Sequence, residues 1–172
     1  MTCIAGIAKE GKIYFAGDRG ASEGGYTVPI DRPKIWKNGP YLFGFAGTFD
    51  AQIVQYNFNP PTPEGNLDKF MHTKFLKSLK SFYNEWDIGG KESEVSLLIG
   101  VKGKLYEHEA EGLTMISYDK DYIVIGSGAD YAMGSLHATR NHKDPKRRLA
   151  LALDAACELS TSCIGPVDFL QG

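Results

Sequence analysis

The chain has 172 residues, enough for one domain of ordinary size and too few for two. Hydrophobic residues make up 42% of it and charged residues 23%, fractions that exclude a disordered, collagen-like or membrane-spanning chain. The net charge of -2 provides no basic surface for nucleic acid.

Cysteine use and the N-terminal segment predict a cytoplasmic protein. The chain has three cysteines, Cys3, Cys157 and Cys163. An odd number of cysteines without a CxxC spacing favours a reducing compartment. The first residues contain no basic segment followed by an apolar stretch, so no secretory signal is expected. Because the sequence has no linker and no internal repeat, we expect residues 1–172 to form a single domain.

The N-terminal part of the chain is predicted to consist of strands. Runs rich in β-branched and aromatic residues alternate there with short segments that contain glycine. Residues 9–11 and the pair Asn38-Gly39 have the composition of hairpin turns, and residues 20–25 that of a Gly-rich loop. The predicted strands are 2–8, 12–18, 34–37 and 41–46.

The middle of the chain is predicted to be helical. A first helix over residues 48–58 ends before Pro60 and Pro61. A second helix begins after Asn66, a good N-cap residue, and continues to about Trp86. Its apolar residues recur at i, i+3 and i+4, which predicts that one face packs on the core.

The last part of the chain again places strands before helices. One helix is predicted from about Asp130 and another over residues 147–159, the latter apolar almost all round and therefore expected to be buried on most sides. A cationic cluster at its start, which ends at Arg148, is expected to be solvated. The order of elements predicts an α+β fold with antiparallel sheets stacked between two helical layers. The predicted strands of this part are 95–101, 104–108 and 122–125, the first two joined across Lys102-Gly103.

Thr2 is the first candidate for chemistry. Methionine aminopeptidase removes Met1 when the next residue is small, so we expect the mature chain to begin at Thr2. An N-terminal threonine carries a hydroxyl nucleophile and an α-amine base with a pKa of about 7.7–8.0. No catalytic histidine is then required, which agrees with histidines that fall in no motif. A threonine in second place is common, and alone it identifies nothing.

Four further residues lie where predicted strands begin or end. Asp18 ends the second strand, Lys34 begins the third, Gly47 follows the fourth, and Ser127 follows a later one. Singly, each has a structural explanation: a strand-end turn, a surface charge, a tight turn and a helix cap. Their combination and order, together with Thr2, are more specific than any one of them.

This combination resembles the β-type subunits of the proteasome, and most closely their bacterial relative, the HslV peptidase. The resemblance extends over nearly the whole chain, and the spacing from Thr2 to Asp18 and Lys34 matches the family without a gap. The segments that carry it after Met1 and Thr2 are AGDRGAS (16–22), PKIW (33–36), GFAGTFDA (44–51), IGSGADYAMG (125–134) and ALALDAACELSTSCI (150–164).

The resemblance implies the fold of N-terminal-nucleophile (Ntn) hydrolases, a four-layer αββα sandwich, and the activity of a threonine-type endopeptidase. Thr2 would be the nucleophile and, through its amine, the base. Lys34, held by Asp18, would lie beside the Thr2 hydroxyl and lower the cost of proton transfer. The backbone N–H of Gly47 would form the oxyanion hole, and Ser127 would hydrogen-bond near the Thr2 amine.

The resemblance also implies a substrate site. The backbone around Ala21, Ser22 and Gly47 would pair with an extended peptide as an added strand. The family positions of the pocket for the side chain before the cleaved bond fall on Ala21, Trp36, Phe45 and Phe49, with Arg32 near its mouth. Because these walls are mostly apolar and contain no buried acid, we expect a preference for apolar or aromatic side chains.

The turn after the last helix departs from the proteasome pattern. Proteasome β subunits carry an Asp there and a Ser three residues later, whereas this chain has Ser160 and Cys163, and the HslV branch also lacks the Asp. In HslV the turn can hold Na⁺ or K⁺ through backbone carbonyls, and the matching positions are Cys157, Ser160 and Cys163. A thiolate zinc site fits less well, because two cysteines and a serine are no zinc ligand set. No other cofactor is expected.

Three functions remain open at this point. The first is a self-compartmentalising threonine protease, a homo-oligomer of stacked hexameric or heptameric rings that degrades unfolded proteins or peptides. The second is a related amidase acting on a small amide, and the third is a non-enzymatic ring or assembly protein with a relict site. Lys34, Asp18 and Ser127 weigh against the third. The chain has no GxxxxGK[ST] motif, so an ATPase unfoldase would be a separate partner.

Overall fold

The computed structural model of the chain describes residues 2–23, 26–88 and 94–172. Met1 and the glycines Gly24 and Gly25 of the predicted loop lie outside the described residues. No helix in the described ranges is long and apolar enough to cross a membrane.

The described elements follow the predicted order of strands and helices. The strands are β1 (Ile4–Lys9), β2 (Lys12–Gly17), β3 (Gly20–Glu23), β4 (Tyr26–Pro29), β5 (Ile35–Asn38), β6 (Tyr41–Gly47), β7 (Val95–Val101), β8 (Lys104–Glu109), β9 (Thr114–Ser117), β10 (Tyr122–Ile125) and β11 (Asp168–Gln171). The helices are α1 (Ala51–Asn57), α2 (Leu67–Phe70), α3 (Leu76–Trp86), α4 (Ala129–Ala138) and α5 (Pro145–Leu159), and a π-helical segment, Met71–Phe75, joins α2 to α3.

Two antiparallel sheets share an apolar core. One has the strand order β10-β1-β2-β11 and the other β5-β6-β7-β8-β9. Side chains from both sheets, such as Ile4 and Leu98, form one buried cluster. The sheets approach closely at Gly44, where an added Cβ would lie 2.5 Å from Ile4 Cγ2. Helices α1 to α3 share a second cluster with the five-stranded sheet, and α4 and α5 a third with the four-stranded sheet.

The predicted hairpins are confirmed, with one shift of a turn. Glu10-Gly11 joins β1 to β2 and Lys102-Gly103 joins β7 to β8, and all four residues have positive φ. Between β5 and β6, Asn38 pairs with Tyr41, so the turn residues are Gly39-Pro40, one position later than predicted. Gly39 has a φ of 57°, a left-handed conformation that favours glycine.

Some predicted elements were wrong or incomplete. The segment 20–25, predicted as a loop, contains β3 and contributes to a two-stranded sheet with β4, in which Ser22 pairs with Thr27. Their side-chain oxygens lie 2.7 Å apart, which is a cross-strand hydrogen bond. The strand was not predicted because the glycines of this segment are typical of a loop. Strands β9 and β11 were not predicted, because neither short segment carries a strong local strand signal.

The prediction of a solvated Arg148 was wrong. This side chain is 2% exposed, and its Nη1 lies 3.1 Å from Asp121 Oδ2. Its guanidinium also covers the ring of Tyr122, 5.5 Å from the centroid. Helix α5 retains an exposed face at Arg147, Asp154 and Glu158, so it is not buried on most sides in this chain.

His108 makes the stability of the fold sensitive to acid. The side chain is 0% exposed, its Nδ1 lies 2.6 Å from the carbonyl of Thr114, and its ring stacks on Tyr83. Burial lowers the pKa of His108 to about 4. Since the unfolded chain binds this proton near pH 6.5, the free energy of unfolding should fall as pH drops from about 6.5 towards 4, by on the order of 3 kcal/mol.

Urea unfolding across this pH range measures the effect. His108→Phe should lose this part of the pH dependence, whereas the same change at the exposed His142 should retain it. An unchanged slope in the His108 variant would contradict this assignment.

Candidate active site

Thr2 lies directly before β1, at the end of the four-stranded sheet, and is 2% exposed. Its backbone nitrogen donates to Ser127 Oγ at 3.1 Å, and its carbonyl accepts from the N–H of Gly128 at 3.1 Å. Gly126 passes so close that an added Cβ would lie 2.3 Å from the carbonyl oxygen of Thr2, and its φ is 95°. The turn after β10 therefore holds Thr2 by its main chain and leaves its hydroxyl available for other contacts.

Lys34 contacts the hydroxyl of Thr2. Its Nζ donates to Thr2 Oγ1 at 2.8 Å and to Asp18 Oδ1 at 3.1 Å, and it also donates to the carbonyl of Gly20. Lys34 is 1% exposed, and burial lowers its pKa, an effect that the negative charge of Asp18 opposes. The buried amine of Lys34 thus lies against the hydroxyl, where its positive charge would stabilise negative charge on Oγ1.

Asp18 fixes the position of that ammonium. The carboxylate is fully buried, and each oxygen accepts a backbone N–H: Oδ1 that of Cys3 at 2.9 Å, and Oδ2 that of Gly20 at 2.8 Å. Cys3 directly precedes β1, and Gly20 is the first residue of β3. The Lys34–Asp18 pair is therefore embedded in main-chain hydrogen bonds, as a buried ion pair requires.

A chain of serine hydroxyls continues from the backbone nitrogen of Thr2. Ser127 Oγ lies 2.9 Å from Ser162 Oγ, and Ser162 Oγ lies 2.7 Å from Ser160 Oγ. Sequence analysis identified Ser160 through the family pattern but missed Ser162. The only sequence signal was the concentration of hydroxyls in Ser160-Thr161-Ser162 directly after α5.

Gly47 is the last residue of β6. It lines the same cavity as Thr2 and Ser127, which has a volume of about 370 Å³. Its φ is 93°, and an added Cβ would lie only 1.6 Å from the carbonyl oxygen of Glu94. Glycine is therefore the only residue that fits without moving the start of β7. Whether its N–H binds an oxyanion stays a prediction.

The cavity also has an acidic wall that sequence analysis did not identify. Its acidic residues are Glu94, Glu109 and Glu111. Both oxygens of Glu109 lie within hydrogen-bonding distance of Ser96 Oγ, at 2.7 and 2.6 Å. Burial raises the pKa of Glu109, and the hydrogen bond to Ser96 opposes that shift.

The predicted substrate residues form a separate group beside β5, β6 and α1. The ring of Phe45 lies 6.4 Å from that of Trp36 and 6.0 Å from that of Phe49. Arg32 covers the ring of Tyr56, 5.7 Å from the centroid. None of them lines the cavity beside Thr2.

Ala21 and Ser22 lie in β3, which begins two residues after Asp18, and both are partly exposed. They too are absent from the lining of the Thr2 cavity. Their role in binding a peptide stays a prediction, as does that of the apolar pocket.

The residues predicted to hold a monovalent cation surround the end of α5. Cys157 is in the last turns of the helix, Ser160 is its C-cap, and Cys163 is buried beyond the turn. Cys163 Sγ and the Cβ of Cys3 both lie against Gly128. In the ranges that the structure describes, no three His, Cys, Asp or Glu side chains are grouped as metal ligands. Carbonyl binding of Na⁺ or K⁺ stays a prediction.

Known proteins resemble the chain in sequence and in structure. It is 31% identical over 150 residues to the ATP-dependent protease subunit HslV of Campylobacter concisus, a match covering 83% of this chain and 80% of that protein. The HslV subunit of Treponema denticola is 27% identical over 147 residues, covering 78% of this chain and 74% of that protein. No family model matches the sequence.

Two solved structures overlay almost the full length of the chain. Thiobacillus denitrificans BPH has a TM-score of 0.77 at 19% identity, covering 99% of this chain and 97% of that one. Eukaryotic HslV from Trypanosoma brucei has a TM-score of 0.75 at 19% identity, and the match covers 99% of this chain and 98% of that one. These structural matches establish the Ntn hydrolase fold, and the sequence identity to the Campylobacter subunit shows that this chain belongs to the HslV family.

Proposed function

We propose that the chain is a threonine-type endopeptidase in which Thr2, exposed by removal of Met1, attacks peptide bonds. The observation that carries the proposal is the 2.8 Å hydrogen bond from Lys34 Nζ to Thr2 Oγ1 inside a buried site. Two of its relatives are named as subunits of an ATP-dependent protease, which supports the same activity.

The proposed reaction uses the two functional groups of one residue. After Met1 is removed, the α-amine of Thr2 accepts the hydroxyl proton, because its pKa of about 7.7–8.0 is close to neutral. Lys34 stabilises the developing alkoxide by charge and stays protonated next to Asp18. Ser127 holds the nitrogen of Thr2, which keeps the amine in reach of its own hydroxyl.

The attacked carbonyl would lie between Thr2 and Gly47. Oγ1 forms a bond to the carbonyl carbon, the carbonyl oxygen takes the negative charge, and the N–H of Gly47 donates to it. The amine proton then passes to the leaving nitrogen, and water releases the acyl group from Oγ1 in the second half of the reaction. The peptide would be held along β3 by Ala21 and Ser22 as an added strand.

We infer that the architecture is the four-layer αββα sandwich. Three buried clusters support this arrangement: one shared by the two sheets, one between the five-stranded sheet and α1 to α3, and one between the four-stranded sheet and α4 and α5. Each sheet then has one helical layer on its outer face.

The proposed active form is a cytoplasmic double ring with six or seven copies of the chain in each ring. A nucleophile beside a peptide-binding edge would cut any unfolded chain that reached it, and a closed chamber prevents this. Large apolar side chains are exposed on several elements and would supply the contacts between subunits. They include Tyr26, Val28, Trp86, Leu159 and Phe169. A separate ATPase would deliver unfolded protein.

Native mass spectrometry at micromolar concentration tests the assembly. The expected result is a complex of about 12 or 14 copies, which corresponds to two closed rings of six or seven, that hydrolyses peptides. A monomer that still hydrolyses small amides would replace the proposal by an amidase function. A monomer without any hydrolase activity would favour the relict site.

Ser162 is expected to act as a positioning residue through Ser127. Ser162→Ala removes the hydrogen bond at 2.9 Å that orients the Ser127 hydroxyl, and we expect kcat to fall about tenfold. The pH at which activity rises should also move, because the environment of the Thr2 amine changes. Thr161→Ala, an exposed change in the same turn, serves as the control. A drop in kcat without any shift of the pH profile would indicate a merely structural role.

A further inference from the structure

The cavity beside Thr2 has two chemically different walls. One carries Thr2, Gly47 and Ser127, the groups of the proposed reaction. The other is lined by three glutamates and, among the described residues that line it, by no Lys, Arg or His. These glutamates are Glu94, Glu109 and Glu111. The acidic wall is thus part of the same 370 Å³ space that the nucleophile contacts.

The strand register holds this wall in place. Ser96 of β7 pairs with Glu109 of β8, and its hydroxyl contacts both oxygens of that carboxylate. The N–H of Ala110 donates to the carbonyl of Val95 at 2.9 Å, which continues the pairing past the end of β8. Glu94 is held at the start of β7, where its carbonyl accepts from the N–H of Thr48 at 2.9 Å.

The acidic wall and the predicted apolar pocket lie on opposite sides of β6. In the sheet, β6 is flanked by β5 on one side and β7 on the other. Trp36 belongs to β5, whereas Glu94 and Glu109 adjoin β7 and β8. In the proposed function, a peptide whose carbonyl lies at Gly47 and whose preceding side chain enters the pocket on the β5 side would continue past Thr2 towards the acidic wall.

We propose that the acidic wall binds a Lys or Arg side chain at the first or second position after the cleaved bond. The inference rests on the proposed peptidase function and adds a substrate class to it. Several carboxylates in a half-enclosed space attract a cation more strongly than a single exposed carboxylate does. A peptide with Glu at the same position would be repelled, so the wall selects against acidic substrates as well.

Hydrolysis of internally quenched peptides by the assembled protein that begins at Thr2 provides the test. The peptides share an aromatic residue before the cleaved bond and carry Lys, Ala or Glu after it. We expect kcat/KM for the Lys peptide to exceed that for the Glu peptide about tenfold or more at low salt, and the ratio to shrink as salt is added. Glu109→Gln should reduce the ratio several-fold, since it keeps the contact with Ser96 but removes the charge.

Glu158→Gln is the control. Glu158 is an exposed residue of α5 that does not line the cavity, so the loss of its charge should preserve the ratio. Equal rates for the three peptides, or an equal loss of the ratio in both variants, would overturn the acidic-wall inference while leaving the peptidase function intact. No cleavage of any peptide by protein that begins at Thr2 would overturn the peptidase function itself.

Discussion

Replacing Lys34 with alanine should reduce peptide hydrolysis by at least about 10²–10³-fold. The variant removes the ammonium that donates to Thr2 Oγ1 at 2.8 Å. Negative charge that develops on this oxygen then loses the stabilisation by this buried cation. Lys34→Arg should fail as well, because a planar guanidinium cannot occupy the space of a compact ammonium between Asp18 and Thr2.

The stability of the variant separates catalysis from folding. Lys34→Ala leaves Asp18 buried with two N–H donors and no counter-charge, so we expect a loss of about 3 kcal/mol in the free energy of unfolding. Thr2→Ala removes the hydroxyl and the γ-methyl group and should abolish hydrolysis while the protein stays folded by circular dichroism. Lys37→Ala, a change at an exposed residue of β5, the strand that follows Lys34, should alter neither. Near-normal turnover in either Thr2→Ala or Lys34→Ala would contradict the mechanism.

Gly47→Ala should disrupt both the site and the fold around it. The added Cβ would lie 1.6 Å from the carbonyl oxygen of Glu94, a backbone atom, and the φ of 93° is unfavourable for alanine. Relief of this clash requires β6 and β7 to separate where the N–H of Gly47 would meet the substrate. We expect a loss of about 3 kcal/mol in stability and of at least about 100-fold in kcat.

Gly134→Ala is the matched control for that substitution. Gly134 lies in α4, and an added Cβ would meet nothing within 4 Å. Because alanine favours a helix over glycine, this variant should keep its activity and gain up to about 1 kcal/mol in stability. Thermal unfolding and hydrolysis of one aromatic peptide measure both variants. Full activity in Gly47→Ala would contradict the role of this strand end.

Periodicity and turn chemistry predicted the elements that carry strong local signals. The helix after Asn66 is an example: its side chain accepts from the N–H of Lys69 at 3.0 Å, as an N-cap should. The hairpin at Glu10-Gly11 is another, since both residues adopt positive φ. Short strands without such signals, β9 and β11, escaped prediction because tertiary pairing rather than local sequence determines them.

The site was predicted unevenly. The resemblance to the HslV family implied the contacts among Thr2, Asp18 and Lys34, and the structure brings these residues together. The serine chain through Ser162 and the wall containing Glu109 depend on how distant segments pack, over 35 residues in the case of Ser127 and Ser162. The burial of Arg148 was not predicted, because a charged side chain is usually exposed to solvent. In the structure its guanidinium contacts Asp121 and the ring of Tyr122, which are distant in sequence.

The identity of the first residue in active protein tests the central claim most directly. Protein that retains Met1 is treated with methionine aminopeptidase, and its intact mass and peptide hydrolysis are followed in the same samples over time. If Thr2 is the N-terminal nucleophile, activity should be absent at the start and should rise in proportion to the fraction of chains that begin at Thr2. Full hydrolysis by protein whose Met1 is entirely retained would contradict the account.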